Sequence, residues 1–439
     1  MKPHQVLLFI ACVMGCLAAL CYVLPGQVRL GGYEVRWPTM AKVLGTEEGE
    51  KIEEIDSLDA LDSLETLDSL DTLDSIVPEA PRIVVPKVVV DENTDSRIFL
   101  QAFYASLAES GRSKIRVLHY GDSQIEEDRM TQQIREGLQK RYGGRGVGLM
   151  PLAQTIPTIT VRQELRMNSR MVTPQQGPRR YMVYAASKEN QRSDSLYGIM
   201  GQVAVMADSL VAGSEDITAV CRPQTESAHY DRMRVFADSS IHYTLSGDTV
   251  HLTGKGNVYG LSQESDTGVI VDNIPMRGCL GLVFTKMDSI QIADFCRAEN
   301  VRLIILQFGG NAIPYNEKPG TIQGIVKSLR KQVLFVQSCA PEASILFIGP
   351  SDMIRMTDGV WESYPLIAYM DKLLRKMALE ENIAYFSLYD WMGGAGSMIR
   401  WQENGLAGKD GIHFLRSGAR KAGNAIVNWM MEGMENRDM

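Results

Sequence analysis

The sequence has few residues of the kinds that build metal sites, and it lacks a basic patch. Only 6 histidines and 7 cysteines occur among its 439 residues. Three cysteines lie in an apolar run at the amino terminus, and none of the other four has a spacing typical of zinc ligands. We interpret these four as buried thiols and leave a disulfide open: Cys221, Cys279, Cys296 and Cys339. Since no basic patch is present either, a nucleic-acid partner is not expected.

The net charge of −8 comes from one short segment. Residues 46–75 hold twelve acids and one lysine, which leaves the rest of the chain with a small positive charge. Leucine recurs at every third position in residues 58–75, and a three-residue step on a helix moves each side chain around the cylinder without forming a lasting apolar stripe. We therefore predict a disordered, low-complexity acidic stalk within a linker of residues 25–95, and leave open a role of the repeat in protein interaction.

The amino terminus begins with an apolar run over residues 6–24, which is long enough to span a bilayer as a helix. A cleaved signal peptide is the alternative, but no small-x-small site closes the run. Lys2 and the terminal amine favour a cytoplasmic start. We predict an uncleaved membrane anchor in residues 1–24, with the rest of the chain outside the cytoplasm, in the periplasm.

Beyond the linker the pattern alternates between short apolar strands and amphipathic helices. Such alternation predicts an α/β fold with a parallel sheet covered on both faces, and a ligand site at the carboxyl ends of the strands. The predicted domain is split into residues 96–150 and 266–439. Its predicted strands are residues 115–120, 268–273, 301–308, 343–349 and 383–388, and its main helices are residues 127–142, 290–299, 321–340, 364–381 and 417–431.

Between the two parts, residues 151–265 show a different pattern. Short stretches of alternating polar and apolar residues, separated by polar turns, predict an inserted antiparallel β domain. We expect strands at residues 158–161, 181–184, 201–206, 232–236 and 249–252. The domain holds His229, His242 and His251, which lack a consistent metal-ligand spacing and are interpreted as ordinary strand histidines.

A candidate nucleophile follows the first predicted strand. Gly121, Asp122 and Ser123 lead into a helix that we expect to begin near Glu126. A serine on a tight strand-to-helix turn projects its hydroxyl at the carboxyl edge of the sheet, beside the backbone N–H groups of a helix start. Because the same tripeptide is also ordinary turn chemistry, the partners of Ser123 must decide its role.

Those partners follow later strands. Elimination leaves His413 as the base, because the other histidines lie at the membrane end, within a strand or in the insertion, and Asp410 is placed to orient its ring. Asn311 closes a predicted strand, where its amide can donate to a developing oxyanion. The segment of residues 278–281, GCLG, follows another strand, and a glycine there lets a backbone N–H approach the same point.

In order, GDSQ, RGCLG, GGN and DGIH resemble the four sequence blocks of the SGNH (GDSL-type) hydrolase family. The resemblance covers about residues 97–433 apart from the insertion, and implies a flavodoxin-like, three-layer fold. It also implies that Ser123 is the nucleophile, that Asp410 and His413 complete a triad, and that Gly281 and Asn311 join the Ser123 N–H in an oxyanion hole. Such a site needs neither a metal nor an organic cofactor.

Three further features resemble the peptidoglycan O-acetylesterase branch of that family. They are the polar Gln124 after the serine, residues 128–131, and the β insertion, which in that branch is a carbohydrate-binding-like module. Met276 stands where the family often has an asparagine. The second block, on which the assignment of Gly281 rests, therefore departs from the family pattern.

The expected function is an envelope-anchored serine esterase that removes O-acetyl groups from a polysaccharide, with peptidoglycan as the leading substrate. Two alternatives remain open. The same triad can pass an acetyl group from a membrane acyl-transfer partner to a glycan, or the protein can be a non-catalytic glycan-binding protein of the envelope.

Overall fold

A computed structural model describes residues 27–30, 33–36, 94–152, 154, 156–167, 170–172, 217–237, 241–254 and 258–435. The predicted anchor and the leucine repeat lie outside these residues. No helix within the described part of the chain is long and apolar enough to cross a membrane. The chain forms two compact units, Met1–Asp62 and Ser63–Met439.

The first unit contains a two-stranded antiparallel hairpin that the linker prediction did not foresee, with Gln27 paired to Arg36 and Leu30 to Tyr33. All other described strands and helices belong to the second unit. The strands are β1 Gln27–Leu30, β2 Tyr33–Arg36, β3 Lys114–Gly121, β4 Gly148–Met150, β5 Val161–Met167, β6 Arg170–Val172, β7 Ile217–Pro223, β8 Arg232–Ala237, β9 Ile241–Ser246, β10 Thr249–Gly254, β11 Val258–Glu264, β12 Gly268–Pro275, β13 Val301–Gln307, β14 Ser344–Ile348, β15 Ile354–Thr357, β16 Val360–Ser363 and β17 Ala384–Phe386.

The helices are α1 Gln101–Leu107, α2 Thr131–Tyr142, α3 Ser289–Ala298, α4 Pro319–Cys339, α5 Ile367–Glu380, α6 Leu388–Met392, α7 Ser397–Glu403 and α8 Arg416–Glu435. The strand and helix positions predicted for the α/β part agree with these bounds to within a few residues, apart from the start of α2. The short helices α6 and α7 and the hairpin of β15 and β16 were not predicted.

Five parallel strands form the central sheet, in the spatial order β12-β3-β13-β14-β17. Numbered among themselves along the chain, they run 2-1-3-4-5, which is the flavodoxin-like order. The predicted α/β fold with a parallel sheet is thus confirmed. From β3 the chain first adds β12 on one side and then adds β13, β14 and β17 on the other side. Open α/β sheets bind ligands at the carboxyl edge where this change of side occurs, which here lies between β3 and β13.

Strand β3 shows why this sheet lies inside the protein. Seven of its eight residues are buried, as expected for a parallel strand with helices on both faces. On one face Ile115 and Val117 join a core cluster with side chains of α1, α2 and α8, among them Phe103, Ile134 and Ile426. On the opposite face Tyr120 packs edge-on against the ring of Phe284, which in turn packs against Phe308. Among the seven buried residues of the strand, Arg116 and His119 carry strongly polar side chains.

Antiparallel strands between Gly148 and Glu264 form two further sheets, ordered β6-β5-β7-β10-β9 and β4-β11-β8. They have a core of their own, which includes Val161, Leu165, Ile217, Val250 and Leu261. Strands β8 and β10 lie where the alternating pattern predicts them, whereas β5 begins only at the last residue of its predicted range. The predicted strands at residues 181–184 and 201–206 lie outside the described residues. Strands β4, β6, β7, β9 and β11 were missed.

A buried ion cluster joins these antiparallel strands to the parallel sheet. Arg116 of β3 is fully buried and donates to Asp272 of β12 through Nε (2.7 Å) and Nη2 (3.0 Å). Its Nη1 donates to Glu264 of β11 (2.9 Å) and to Glu299 after α3 (2.9 Å). A charge buried this deeply is tolerated only when its partners are in place. Arg116 therefore holds three separate elements at one point.

Further cations complete the cluster. Lys114 donates to Glu264 (3.0 Å) and to Glu299 (2.7 Å), and Arg234 of β8 approaches the same two carboxylates. Burial raises the pKa of Glu264, but Arg116 and Lys114 lower it by more, to about 2. Glu264 therefore stays ionised throughout the physiological pH range.

The Arg116→Met variant should lower the free energy of unfolding by about 3–5 kcal/mol, since it leaves buried carboxylates without their main cation. Urea denaturation of the full chain measures this loss. Arg297→Met removes an exposed pair with Asp294 on α3 and should change stability by no more than about 1 kcal/mol. Equal effects of the two substitutions would refute a structural role for the cluster.

Candidate active site

The turn that contains Ser123 follows β3 directly. Asp122 accepts a hydrogen bond from the Gln124 N–H (3.0 Å), which caps a short 3-10 turn that begins at Ser123. The predicted start of the following helix near Glu126 is wrong, because α2 begins only at Thr131. Glu127 and Asp128 have φ angles of 59° and 63°, and two successive left-handed residues cannot continue a right-handed helix.

Specific contacts stabilise this unusual backbone. Asp128 accepts a forked pair of hydrogen bonds from Arg135 of α2 (2.7 and 3.1 Å) and another from the Thr160 hydroxyl (2.7 Å). The Ile159 N–H donates to the Glu127 carbonyl (3.0 Å). Thr160 and Ile159 lie just before β5. The start of the inserted strands therefore supports the turn that presents Ser123.

The structure brings Ser123, His413 and Asp410 together in a single hydrogen-bond chain. Ser123 Oγ lies 2.8 Å from His413 Nε2, and His413 Nδ1 lies 2.7 Å from Asp410 Oδ2. A carboxylate can only accept, so Nδ1 carries the ring proton and Nε2 is left to accept from the serine hydroxyl. Ser123 is buried, whereas the side chains of His413 and Asp410 are 38% and 49% exposed. Solvent can therefore reach this hydrogen-bond chain from the side of His413.

Asp410 is held in its charged form. Its Oδ1 accepts from the Ile412 and His413 N–H groups, each at 3.0 Å. Burial raises the pKa of Asp410, but these hydrogen bonds and the one from the His413 ring outweigh burial, so the pKa lies below its ordinary value. An ionised Asp410 orients the ring and would stabilise a positive charge on it.

Gln124, immediately after the serine, holds the loop of the base. Its Nε2 donates to the Ile412 carbonyl (2.7 Å), and its Oε1 accepts from the Phe414 N–H (3.3 Å). One side chain thus grips the backbone on both sides of His413. The sequence showed Gln124 as a family-like polar residue, but this contact spans almost 290 positions and could not be predicted from it.

Arg129 adds a second link between the same two segments. It donates to the Phe414 carbonyl (2.6 Å) and, more weakly, to the carbonyls of Glu126 (3.1 Å) and Ser123 (3.4 Å). The turn of Ser123 and the loop of His413 are therefore joined by several polar contacts besides the serine–histidine hydrogen bond itself.

Asn311 follows β13, next to the strand that precedes Ser123. Its Nδ2 donates to the Cys279 carbonyl (3.0 Å), so it adjoins the loop that follows β12. In that loop the Gly281 N–H donates to Cys279 Sγ (3.3 Å), a contact within its own segment. Gly281 has a φ of +83°, and a Cβ there would lie 2.7 Å from the Phe308 ring. Packing and backbone conformation thus suffice to require this glycine, and its recorded contact is not with Ser123.

The other described histidines are placed as the elimination assumed. His119 is fully buried in β3 between Gln307 (3.2 Å) and Thr131 (2.9 Å), and burial lowers its pKa to about 3. His229, His242 and His251 lie among the antiparallel strands. The four described cysteines are buried free thiols.

Asp122 is a buried carboxyl beside the nucleophile. Burial raises its pKa to about 6, although the hydrogen bond from the Gln124 N–H acts in the opposite direction. Between pH 4 and pH 6, roughly, the folded protein holds a proton on Asp122 that the unfolded chain has released. The contribution of Asp122 to stability therefore falls as the pH rises through this window.

An Asp122→Asn variant has no such titration and keeps an acceptor for Gln124. We expect its free energy of unfolding, relative to the original protein, to be about 1–3 kcal/mol more favourable at pH 8 than at pH 4.5. Urea denaturation at both pH values measures this. An exposed substitution, Asp294→Asn, should show no comparable change, and a pH-independent difference for Asp122→Asn would contradict the assigned titration.

No protein-family model and no curated protein matches this sequence. Among solved structures, a peptidoglycan O-acetylesterase is similar in three dimensions, with a TM-score of 0.57 and 19% sequence identity over 78% of this chain and 98% of that chain.

Two smaller enzymes match a lesser part of the chain. A carbohydrate acetylesterase from Sinorhizobium meliloti has 16% identity and a TM-score of 0.26 over 37% of this chain and 79% of its own. The aryl esterase of M. smegmatis has 16% identity and a TM-score of 0.27 over 37% and 79%. Neither is similar enough to support an argument. The similarity to the first structure establishes the architecture, and the chain has an SGNH/GDSL hydrolase-like fold.

Proposed function

We propose that this protein is a serine esterase that removes O-acetyl groups from a cell-envelope polysaccharide, with peptidoglycan as the leading substrate. The hydrogen-bond chain from Ser123 through His413 to Asp410 is the observation on which the proposal rests. The acetyl ester is suggested by the fold, because a solved protein with a similar architecture over 78% of this chain is a peptidoglycan O-acetylesterase.

The proposed reaction follows from the geometry of the triad. His413 Nε2 takes the proton of Ser123 as its Oγ attacks the acetyl carbonyl, which forms a tetrahedral oxyanion. His413 then returns the proton to the sugar oxygen as the ester bond breaks, which leaves an acetyl group on Ser123. Water, deprotonated by His413, attacks this acyl-enzyme, and acetate leaves as the serine regains its proton.

The oxyanion needs donors that are in place before it forms. We propose the Ser123 N–H and the Asn311 amide for this role, with Gly281 as the third donor only if its N–H turns away from Cys279. Losing one such donor typically slows catalysis on the order of 100- to 1000-fold.

The remaining parts of the proposal concern the setting of the enzyme. Residues 1–24 would anchor it in the membrane, and the linker would place the catalytic part in the periplasm, where envelope polysaccharide is found. Fractionation of cells that express the full chain tests this: the protein should be recovered with the membrane and be accessible to protease from the periplasmic side.

Ser123→Ala should lower kcat for acetate release by a factor on the order of 10⁴ or more, and Asp410→Asn should lower it strongly because the ring loses its orienting charge. Acetate released from O-acetylated peptidoglycan and from an aryl acetate measures both effects. Unfolding midpoints close to that of the original protein are the control. Full activity of a folded Ser123→Ala variant would disprove the mechanism.

Gln124→Ala should lower kcat about 10- to 100-fold with little change in KM, because the loop of His413 loses its two anchors while substrate contacts remain. The rate at which a fluorophosphonate labels Ser123 should fall in parallel. Gln337→Ala removes a similar side-chain bond to a distant backbone carbonyl, that of Glu381, and should leave both rates unchanged. A normal labelling rate in Gln124→Ala would contradict the positioning role.

The same acyl-enzyme could pass its acetyl group to a sugar instead of to water. Acetate release and glycan acetylation, measured with and without a membrane acyl donor, separate the two reactions. Negligible acetate release together with donor-dependent acetylation would replace the esterase with a transferase.

A further inference from the structure

A small hairpin stands beside the triad at the carboxyl edge of the parallel sheet. Strands β15 and β16 follow β14 in the chain, and their register pairs Ile354 with Ser363 and Met356 with Trp361. Nothing in the proposed chemistry uses this hairpin. Its apolar residues are nonetheless partly exposed: Met356 by 58% and Trp361 by 37%.

The hairpin is attached firmly to the loop of the base. The Ile354 N–H donates to the Gly411 carbonyl (2.9 Å), and Gly411 lies between Asp410 and His413 in the chain. A Cβ on Gly411 would lie 2.6 Å from Ile354, so the two backbones are in close contact. At the other strand, Ser363 Oγ accepts from the Gly396 N–H (2.8 Å). The end of the hairpin that lies away from its turn is thus hydrogen-bonded to the α/β part of the chain through both strands.

One face of the hairpin runs from the catalytic loop into solvent. Residues two apart on a strand share a face, and directly paired residues share it too. Ile354, Met356 and Trp361 therefore lie on the same face. Ile354 is buried next to Gly411, whereas Met356 and Trp361 extend the face outward as an apolar patch. The side chains of His413 and Asp410, both partly exposed, lie on the same loop as Gly411, which Ile354 contacts.

We propose that Trp361, with Met356 beside it, is a stacking platform for a sugar ring of the glycan whose acetyl group enters the triad. This inference rests on the proposed function. A pyranose ring has an apolar face of C–H groups and a rim of hydroxyls, so a partly exposed tryptophan suits it, and an exposed apolar patch beside an active site is typical of a binding groove.

The size of the patch favours a sugar over a protein partner. Arg355 and Glu362 pair with each other on the opposite face of the hairpin, so they do not extend the patch of Met356 and Trp361. A stable protein interface buries roughly 800 Å² on each partner, which two side chains do not supply. A single sugar ring needs only the area of one indole.

The test measures binding separately from hydrolysis. The full-length Ser123→Ala protein is titrated calorimetrically with an O-acetylated oligosaccharide of alternating N-acetylglucosamine and N-acetylmuramic acid. Adding Trp361→Ala or Trp361→Leu should weaken binding about tenfold, whereas Trp361→Tyr, which keeps a flat ring, should stay within about threefold. In the catalytically intact protein, Trp361→Ala should lower kcat/KM for the glycan relative to that for an aryl acetate about tenfold.

Two control variants limit the interpretation. Val360→Ala changes an exposed apolar residue on the opposite face of the hairpin and should not affect binding, and Tyr243→Ala tests an exposed aromatic of the inserted strands. Unchanged binding in Trp361→Ala, or an equal loss in Trp361→Tyr, overturns the platform. If Trp361 governs glycan binding but the original protein releases no acetate, the platform stands and the proposed esterase function fails.

Discussion

The packing of the parallel sheet against the antiparallel strands depends on the ion pairs of the buried Arg116 guanidinium. It lies in the strand that leads to Ser123, and it needs carboxylates from β11, β12 and the end of α3 at the same point. Asp272 in turn accepts from the Leu149 N–H, and Gly148 is required beside it because a Cβ would lie 2.0 Å from the carboxylate. Separating the parallel sheet from the antiparallel strands would leave an unpaired charge at this depth. Because that costs several kcal/mol, the two parts are held together.

The candidate site uses the same strategy at its surface. Ser123 and His413 are separated by 290 positions in the chain, yet the side chains next to the serine hold the backbone around the histidine. Gln124 and Arg129 hold the loop of His413, and Asp128 fixes the turn of Ser123. Directional hydrogen bonds thus fix the position of Ser123 relative to His413. Apolar packing alone would allow the two segments to shift against each other.

Much of the fold followed from local patterns. Buried strands such as β3 and β13 are mostly apolar, and helices such as α4 have a clear apolar face, so both were recognisable from their sequence patterns. Predictions failed where backbone conformation depends on distant partners. The left-handed Glu127 and Asp128 are stabilised by Arg135 and by residues just before β5, such as Thr160. The local sequence does not show these partners, and its pattern alone predicts the start of a helix.

The sequence by itself determined the α/β class, the candidate serine, the candidate histidine with its aspartate, and the position of Asn311 at a strand end, because each depends on residue type and near neighbours. Only the tertiary structure decided which groups touch. It placed Ser123 and His413 within hydrogen-bond distance, assigned the Gly281 N–H to Cys279, and set the hairpin of Trp361 beside the loop of His413. These outcomes depend on strand order and on side-chain contacts between segments far apart in the chain, and no local pattern in the sequence encodes such contacts.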